Sequence, residues 1–455
     1  MASTLDDTHL ADLHALAAKA GVERYRMLPR DELVAAILEL DPAAAESSAD
    51  ATETEGARSE PDEAERDDSR HERSGGRGGR GGRGGRSRRD SRQDEGEEDE
   101  EEAEAGEPVS GVLDITPRGH GFIRLEGLES GEDDVYVSPS QIRRCEMQRG
   151  DEVAGPARKP RRGERYPALI HVNELNGVEP GADSPRLEDA TPVHPSRRID
   201  LTPAAGASED DVILLRSIDL LTPLAYGQRV LVRAAAGSGR TTLLRALARV
   251  LAPREELELV VLLIDERPEE VEAWREAAPG AELAVATGDM RSGEQLRLVE
   301  LALGRATRRA ESGADVVLLV DSLSRIAVAA EDPGRVKPIF GAGRETAEEG
   351  VGSLTIVATT LEGGDDEGAV GGALETTENS LIVLDRELAA AGVFPAIDPN
   401  ASRLAAEEQL RSEDELTAAR SLRADLASKP VAEAAAELRR RAEEAPAGSS
   451  PPGPE

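Results

Sequence analysis

Aromatic side chains are nearly missing from this sequence: one Trp, four Tyr and three Phe among 455 residues. Part of so aromatic-poor a chain carries charge without a core. Cysteine is scarcer still. The single Cys145 excludes a disulfide framework and a cysteine zinc site, and it suits a reducing cytoplasm. No apolar run approaches the length of a membrane span, and the first residues, MASTLDDTHL, lack the basic and apolar regions of a signal peptide. Positive charge is in deficit, since 91 Asp and Glu face 55 Lys and Arg, for a formal net charge of −36. That total argues against nonspecific DNA coating, although it averages over segments of opposite sign. The length leaves room for about two to four domains. Together these absences predict a soluble, cytoplasmic, multidomain protein with no membrane partner.

What is present is organised around Gln228–Leu244, QRVLVRAAAGSGRTTLL. The apolar run Val230–Val232 leads into a Gly/Ala/Ser loop, and Thr241 and Thr242 open an amphipathic stretch, Leu243–Val250, free of Pro and Gly. Strand, phosphate-sized loop and helix make a P-loop layout, in which backbone N–H groups and a helix N-terminus hold polyphosphate. Gly237, Ser238, Gly239, Arg240, Thr241 and Thr242 are the candidate phosphate-binding residues. Ala234 stands where the pattern has its first Gly, and Arg240 stands where it has Lys. A guanidinium is larger and planar, whereas an ammonium is a compact point charge. Further on, the buried-strand runs Leu259–Ile264 and Val316–Val320 end in Asp265-Glu266 and in Asp321, and a third, Ser353–Thr359, ends in Thr360. Such runs alternating with helical stretches predict a parallel α/β sheet, whose ligands bind at the carboxyl ends of the strands. Capping of the sheet edge is the structural alternative for these carboxylates. Their coincidence with a P-loop favours a nucleotide site.

Upstream the chain changes character several times. Thr8–Ala20 and Arg30–Leu40 each place apolar residues on one helical face, and together they predict a small helical module. Ala43–Glu107 is almost free of large apolar residues and is expected to be disordered. Its centre, SGGRGGRGGRGGRSRR, has the composition of arrays that track nucleic-acid backbones; pairing with its own acidic flanks is the competing reading. From Pro108 onward, five short strand patterns within about seventy residues predict a small OB-type β-barrel. There RGHGFIR presents Phe122 for base stacking, Tyr136 and Tyr166 add two more flat rings, and Glu164 can accept from a cytosine amine. Simple filling of the barrel by these rings is the alternative. Their concentration in so aromatic-poor a chain favours a single-strand RNA site.

These strings resemble one family. YVSPSQIRR (Tyr136–Arg144), GERY (Gly163–Tyr166), LLIDERPEEV (Leu262–Val271), GSLTI (Gly352–Ile356) and VFPAID (Val393–Asp398) are similar to signatures of the bacterial transcription termination factor Rho, a hexameric RNA-dependent ATPase and helicase. The resemblance runs from the helical module (1–42) to about Glu444, interrupted by the disordered acidic/RGG insert (43–107), and implies an OB-fold (108–180), a connector (181–204) and a RecA-like α/β ATPase domain (205–444), with the tail (445–455) expected to be disordered. It implies C-rich single-stranded RNA at Phe122, Arg124, Tyr136, Glu164 and Tyr166, and ATP with Mg²⁺ in the motor. Thr241 would be the Mg²⁺-side hydroxyl, Asp321 the Walker B carboxylate, and Glu266 the general base. Arg240 would stand among the catalytic groups, and Arg267 and Arg325 at positions that couple the pocket to neighbouring subunits and RNA. A homohexamer acting on the RNA polymerase transcription complex is the implied assembly.

The chain also departs from that family. His120 replaces an aromatic, Arg240 the P-loop Lys, and Gly237 a second Lys. Ala327–Pro338 is too short for the family's first channel loop, Glu345–Asp385 contains no basic residue where the second loop carries a Lys or Arg and is acidic and glycine-rich instead, and Gly392 occupies the position of a trans-acting arginine, with Arg403 near the other. These changes predict nucleotide binding with weakened hydrolysis and weakened translocation. Two other functions therefore stay open at this level: a paralog acting as a non-hydrolysing RNA-binding ring subunit, and an RNA chaperone working through its RGG and OB segments alone.

Overall fold

The computed structural model describes residues 106–182, 185–363 and 365–445. The helical module, nearly all of the acidic/RGG insert and the tail from residue 446 lie outside the described residues.

The first fold is a barrel. Its strands are β1 (Glu107–Ile115), β2 (Gly121–Arg124), β3 (Val135–Val137), β4 (Glu152–Arg158), β5 (Ala168–Leu169) and β6 (Glu174–Leu175). β1 pairs antiparallel with both β2 and β4, while β5 pairs parallel with β3 and antiparallel with β4. Those pairings close five strands on themselves, and β6 extends β4. The expected OB-type barrel is present, with its last strand pattern split between β5 and β6. Alternation along the strands sends Leu113, Ile123, Val135, Val137 and Val153 inward to one core. It leaves Phe122 and Tyr136 as a cross-strand pair on the other face. A helix, Pro139–Arg144, follows β3 and was not foreseen. Its signal is local: Ser138 and Gln141 form a capping box, with Pro139 in the first turn. Gln141 Nε2 donates to the Leu169 carbonyl at 2.9 Å, tying the helix to β5.

The second fold carries β7 (Pro192–Val193), β8 (Arg229–Ala235), β9 (Glu258–Glu266), β10 (Glu282–Thr287), β11 (Val316–Asp321), β12 (Glu345–Thr346), β13 (Leu354–Glu362), β14 (Ser380–Leu384) and β15 (Arg403–Leu404). Seven of them form a sheet in the order β10-β9-β11-β13-β8-β14-β15, parallel throughout except at β15. The wholly apolar runs are explained by burial on both faces. Val261, Leu263, Val317 and Leu319 pack toward Leu247 and Trp274 on one side. Val260, Leu262, Leu318 and Val320 pack toward Leu298 and Ile326 on the other. The connector expected over 181–204 is partly built into this fold: β7 pairs with β12, and Ile199 and Leu201 are buried in the motor core. Pro, Asp and Ser enrichment hid those two apolar anchors.

The barrel and the motor meet around a buried carboxylate, with further ion pairs and a backbone contact beside it. Asp114 of β1 is 2% exposed and receives Arg124 from within the barrel. Arg297, from the long helix Ser292–Glu311, donates to it at 2.5 Å, and Arg149 Nε lies 3.6 Å away. Arg305 of the same helix reaches Glu152 at 3.1 Å, and Arg149 pairs with Glu300. Gly150 lies flat against that helix, where an added Cβ would stand 2.2 Å from the Arg305 nitrogen. Removing one partner of a buried charge cluster typically costs about 3–5 kcal/mol. Asp114→Ala is therefore expected to lower the urea unfolding midpoint markedly; an unchanged midpoint would mean that neighbouring acids balance the three arginines unaided.

Candidate functional site

The P-loop follows β8 directly. Gly237 and Gly239 adopt φ of +79° and +97°, left-handed conformations that glycine enters without steric cost. Gly239 caps the helix Arg240–Leu251, so the loop's N–H groups and the helix N-terminus converge on one spot. Ser238 is buried and donates to the Ala235 carbonyl at 2.7 Å, which fixes the turn rather than leaving its hydroxyl for a ligand. Thr242 is exposed beside the loop.

Asp321, fully buried at the end of β11, is the polar centre of this edge. Thr241 Oγ1 donates to its Oδ2 at 3.3 Å, and Thr359 Oγ1 to its Oδ1 at 3.3 Å. Arg240 folds inward and sets its Nε 3.1 Å from Oδ1, with only 12% of its side chain exposed. Nε and Nη1 of Arg240 are buried without a hydrogen-bond acceptor of good geometry. Thr241 and Asp321 are oxygen donors of the type a Mg²⁺ ion takes. The carboxylate's charge, however, is already met from within the chain, so the donor set does not fit the ion while Arg240 stays paired.

Glu266 ends the neighbouring strand β9, 6% exposed. One of its oxygens accepts from the Arg267 backbone N–H at 3.0 Å, and the other lies 3.7 Å from Arg325 Nη1. Arg325 also donates to the Ile264 carbonyl at 3.0 Å, which holds it at this edge; the Arg267 side chain is exposed. The structure thus brings Arg240, Thr241 and Asp321 together, with Glu266 at the adjacent strand end and Arg325 beside it from the helix Leu323–Ala330. Sequence reasoning missed Thr359 as a partner of Asp321. It also missed Phe394, which with Leu384 and Val393 lines an apolar cleft of about 230 Å³ against Gly237 and Thr242. One of only three phenylalanines, placed in VFPAID, was the available signal. The cleft can take a flat apolar group such as a base.

On the barrel the expected rings gather. Phe122 lies 5.0 Å from Tyr166 and 5.9 Å from Tyr136, both edge-on, and His120 stands 5.6 Å from Phe122. Edge-to-face contacts of this kind hold the rings half-buried with faces left for stacking. A cleft of about 630 Å³ opens beside Tyr136 and Tyr166, with Glu164 and Arg158 on its wall. Arg158 donates to Glu164 through Nη1 and Nη2, at 2.6 and 2.9 Å, and the Arg161 backbone N–H adds a third bond at 2.9 Å. The Arg158 hydrogen bonds come first among the causes that hold the Glu164 carboxyl down at about 2, so it is ionised across the physiological range. Arg158, unnoticed in the sequence, therefore aims the proposed cytosine acceptor. Arg124 requires an adjustment. It is buried beneath Phe122, 5.7 Å from the ring centroid, and forked between Asp114 and Asp134, so it supports the ring platform rather than standing open on it.

A phosphate-cradling loop on a parallel sheet, joined to a barrel that gathers its rings around one cleft, defines a P-loop nucleotide-binding protein with an OB-type single-strand module. Residues 109–181 match the Rho termination factor RNA-binding domain, and residues 215–336 match the ATP synthase alpha/beta family nucleotide-binding domain. Transcription termination factor Rho of Haemophilus influenzae is 37% identical over 338 residues, covering 69% of this chain and 79% of that protein. Rho of Escherichia coli K12 is likewise 37% identical, covering 69% and 80%, and Rho of Buchnera aphidicola (strain Bp) is 38% identical with the same coverage. The chain belongs to the transcription termination factor Rho family. Its second fold is the RecA-like ATPase domain, and among the described residues no helix is long and apolar enough to cross a membrane.

Base stacking on an aromatic ring is worth about 1–3 kcal/mol per base by alanine substitution. Tyr166→Ala is expected to weaken poly(C) binding by about that amount in a fluorescence anisotropy titration. Unchanged affinity would remove Tyr166 from the platform.

Proposed function

We propose that this chain is a Rho-type transcription termination factor with a slow motor. C-rich single-stranded nascent RNA stacks on Phe122, Tyr136 and Tyr166, with Glu164 accepting from the cytosine amine. ATP lies on the P-loop, its phosphates on the N–H groups of Gly237 to Thr242 and its base toward Phe394. Glu266 orients the attacking water, and Arg325 keeps that carboxylate in place. The working form is a homohexamer in the cytoplasm, acting on the RNA polymerase transcription complex. A divalent ion would have to compete with Arg240 for Asp321.

The observation that supports this reading most directly is the presence, in one folded unit, of the ring platform and the P-loop, linked through Asp114 and the helix Ser292–Glu311. Slow turnover follows from Arg240, whose guanidinium sits on Asp321 where a lysine would be free to meet phosphate. Loss of a charge-stabilising group in related NTPases costs orders of magnitude, about 10³–10⁵ for a trans-acting arginine. Gly392 and the acidic stretch after Thr360 act in the same direction, because an acidic loop repels a phosphate backbone.

Steady-state ATP hydrolysis by the full chain with and without poly(C) tests this. The wild type is expected to turn over slowly with RNA stimulation, Arg240→Lys to gain about tenfold or more, and Glu266→Ala to lose turnover altogether. Poly(C) binding without turnover in either the wild type or Arg240→Lys would replace the motor by an RNA-binding ring subunit.

A further inference from the structure

We infer that Arg240 is a resident counter-ion that takes the place of a divalent cation between Asp321 and the nucleotide, so that this P-loop binds nucleotide without a metal. The inference rests on reading the P-loop as a nucleotide site, and goes beyond it by naming the form of the ligand: the metal-free polyphosphate.

A divalent ion in such a site links a carboxylate to phosphate oxygens. It needs oxygens at about 2.0–2.1 Å in near-octahedral array and gives up its water reluctantly. Both Asp321 oxygens already have partners, since Oδ1 faces Arg240 Nε at 3.1 Å and Thr359 at 3.3 Å, and Oδ2 accepts from Thr241 at 3.3 Å. The guanidinium carries a fixed positive charge. An incoming cation would therefore meet a permanent positive charge against the very carboxylate it needs.

The guanidinium can also do the linking. Its five N–H donors lie in one plane, and a fork of this kind binds phosphate oxygens in pairs. Nε lies 3.1 Å from Asp321 Oδ1, and the buried Nη1 has no acceptor among the described residues. Arg240 is also the first residue of the P-loop helix, directly after Gly239, and so stands where that helix N-terminus receives an anion. Asp321–Arg240–phosphate thus replaces carboxylate–metal–phosphate. A lysine would offer three donors on one compact charge and no planar fork, so it would not pair phosphate oxygens in the same way.

The test is binding of a fluorescent ATP analogue to the full chain in Mg²⁺ and in EDTA. Chelation is expected to change wild-type affinity by less than about threefold, and to weaken Arg240→Lys by about tenfold or more. Asp321→Asn, measured in EDTA, is expected to lose about tenfold, because the carboxylate that aims the guanidinium is gone. Wild-type affinity falling tenfold or more on chelation would overturn the inference. So would metal-free binding indifferent to Asp321→Asn, which would make Asp321 a metal ligand and nothing else. No binding by any variant in either buffer would instead overturn the nucleotide reading of the pocket.

Discussion

The carboxylate of Asp114 is the point on which the arrangement of the two folds depends. A single acid at 2% exposure faces arginines from its own barrel and from the motor's longest helix. Buried charge is tolerated only when paired, so the barrel cannot present this acid to anything but a cationic surface. The motor supplies Arg297 there, and the barrel supplies Arg124, whose other fork steadies Asp134 under the ring platform. Platform and motor therefore share a charge balance. The group beneath the stacking face and the group on the motor helix touch the same oxygen, Asp114 Oδ2.

At the far edge a second buried acid plays a matching part. Asp321 lies at the carboxyl end of β11, between the strand that ends in Glu266 and the strand that carries Thr359. Parallel pairing forces those three strand ends together, which is why the candidate nucleotide site lies there and not at the opposite edge. The identity of the neighbouring cation then decides what the site does. An arginine at position 240 keeps the constellation's geometry while changing who neutralises whom.

Much of this was legible in the chain itself. Doubly buried strands announce themselves as unbroken apolar runs, and β9, β11 and β13 appear within a residue or three of the expected limits. Glycines at 237 and 239 declare the left-handed turn. Ring positions followed from scarcity, since few other aromatics compete for attention. What could not be read were relations between side chains far apart in sequence. Nothing in RGHGFIR says that Arg124 will be buried against an acid ten residues upstream and another ten downstream. Nor does GERY disclose Arg158, whose pairing with Glu164 depends on how the turn after β4 folds back. The direction of Arg240 is of the same kind: substitution at the P-loop was visible, but the inward turn onto Asp321 is a property of the folded edge. The connector misled for a simpler cause, because two buried residues, Ile199 and Leu201, can anchor a segment whose average composition reads as linker.

Gly150 and Gly304 meet main chain to main chain, with no side chain between them. A joint made of side chains yields gradually, one rotamer at a time; a joint made of backbone has no such compliance. The helix that carries Gly304 is 20 residues long, a rod of about 30 Å, and its first turn is tied to the carboxyl edge of the sheet where Gln295 donates to the Thr287 carbonyl. A pull on the barrel would therefore act as leverage on that rod, at the carboxyl edge of the sheet that carries the P-loop.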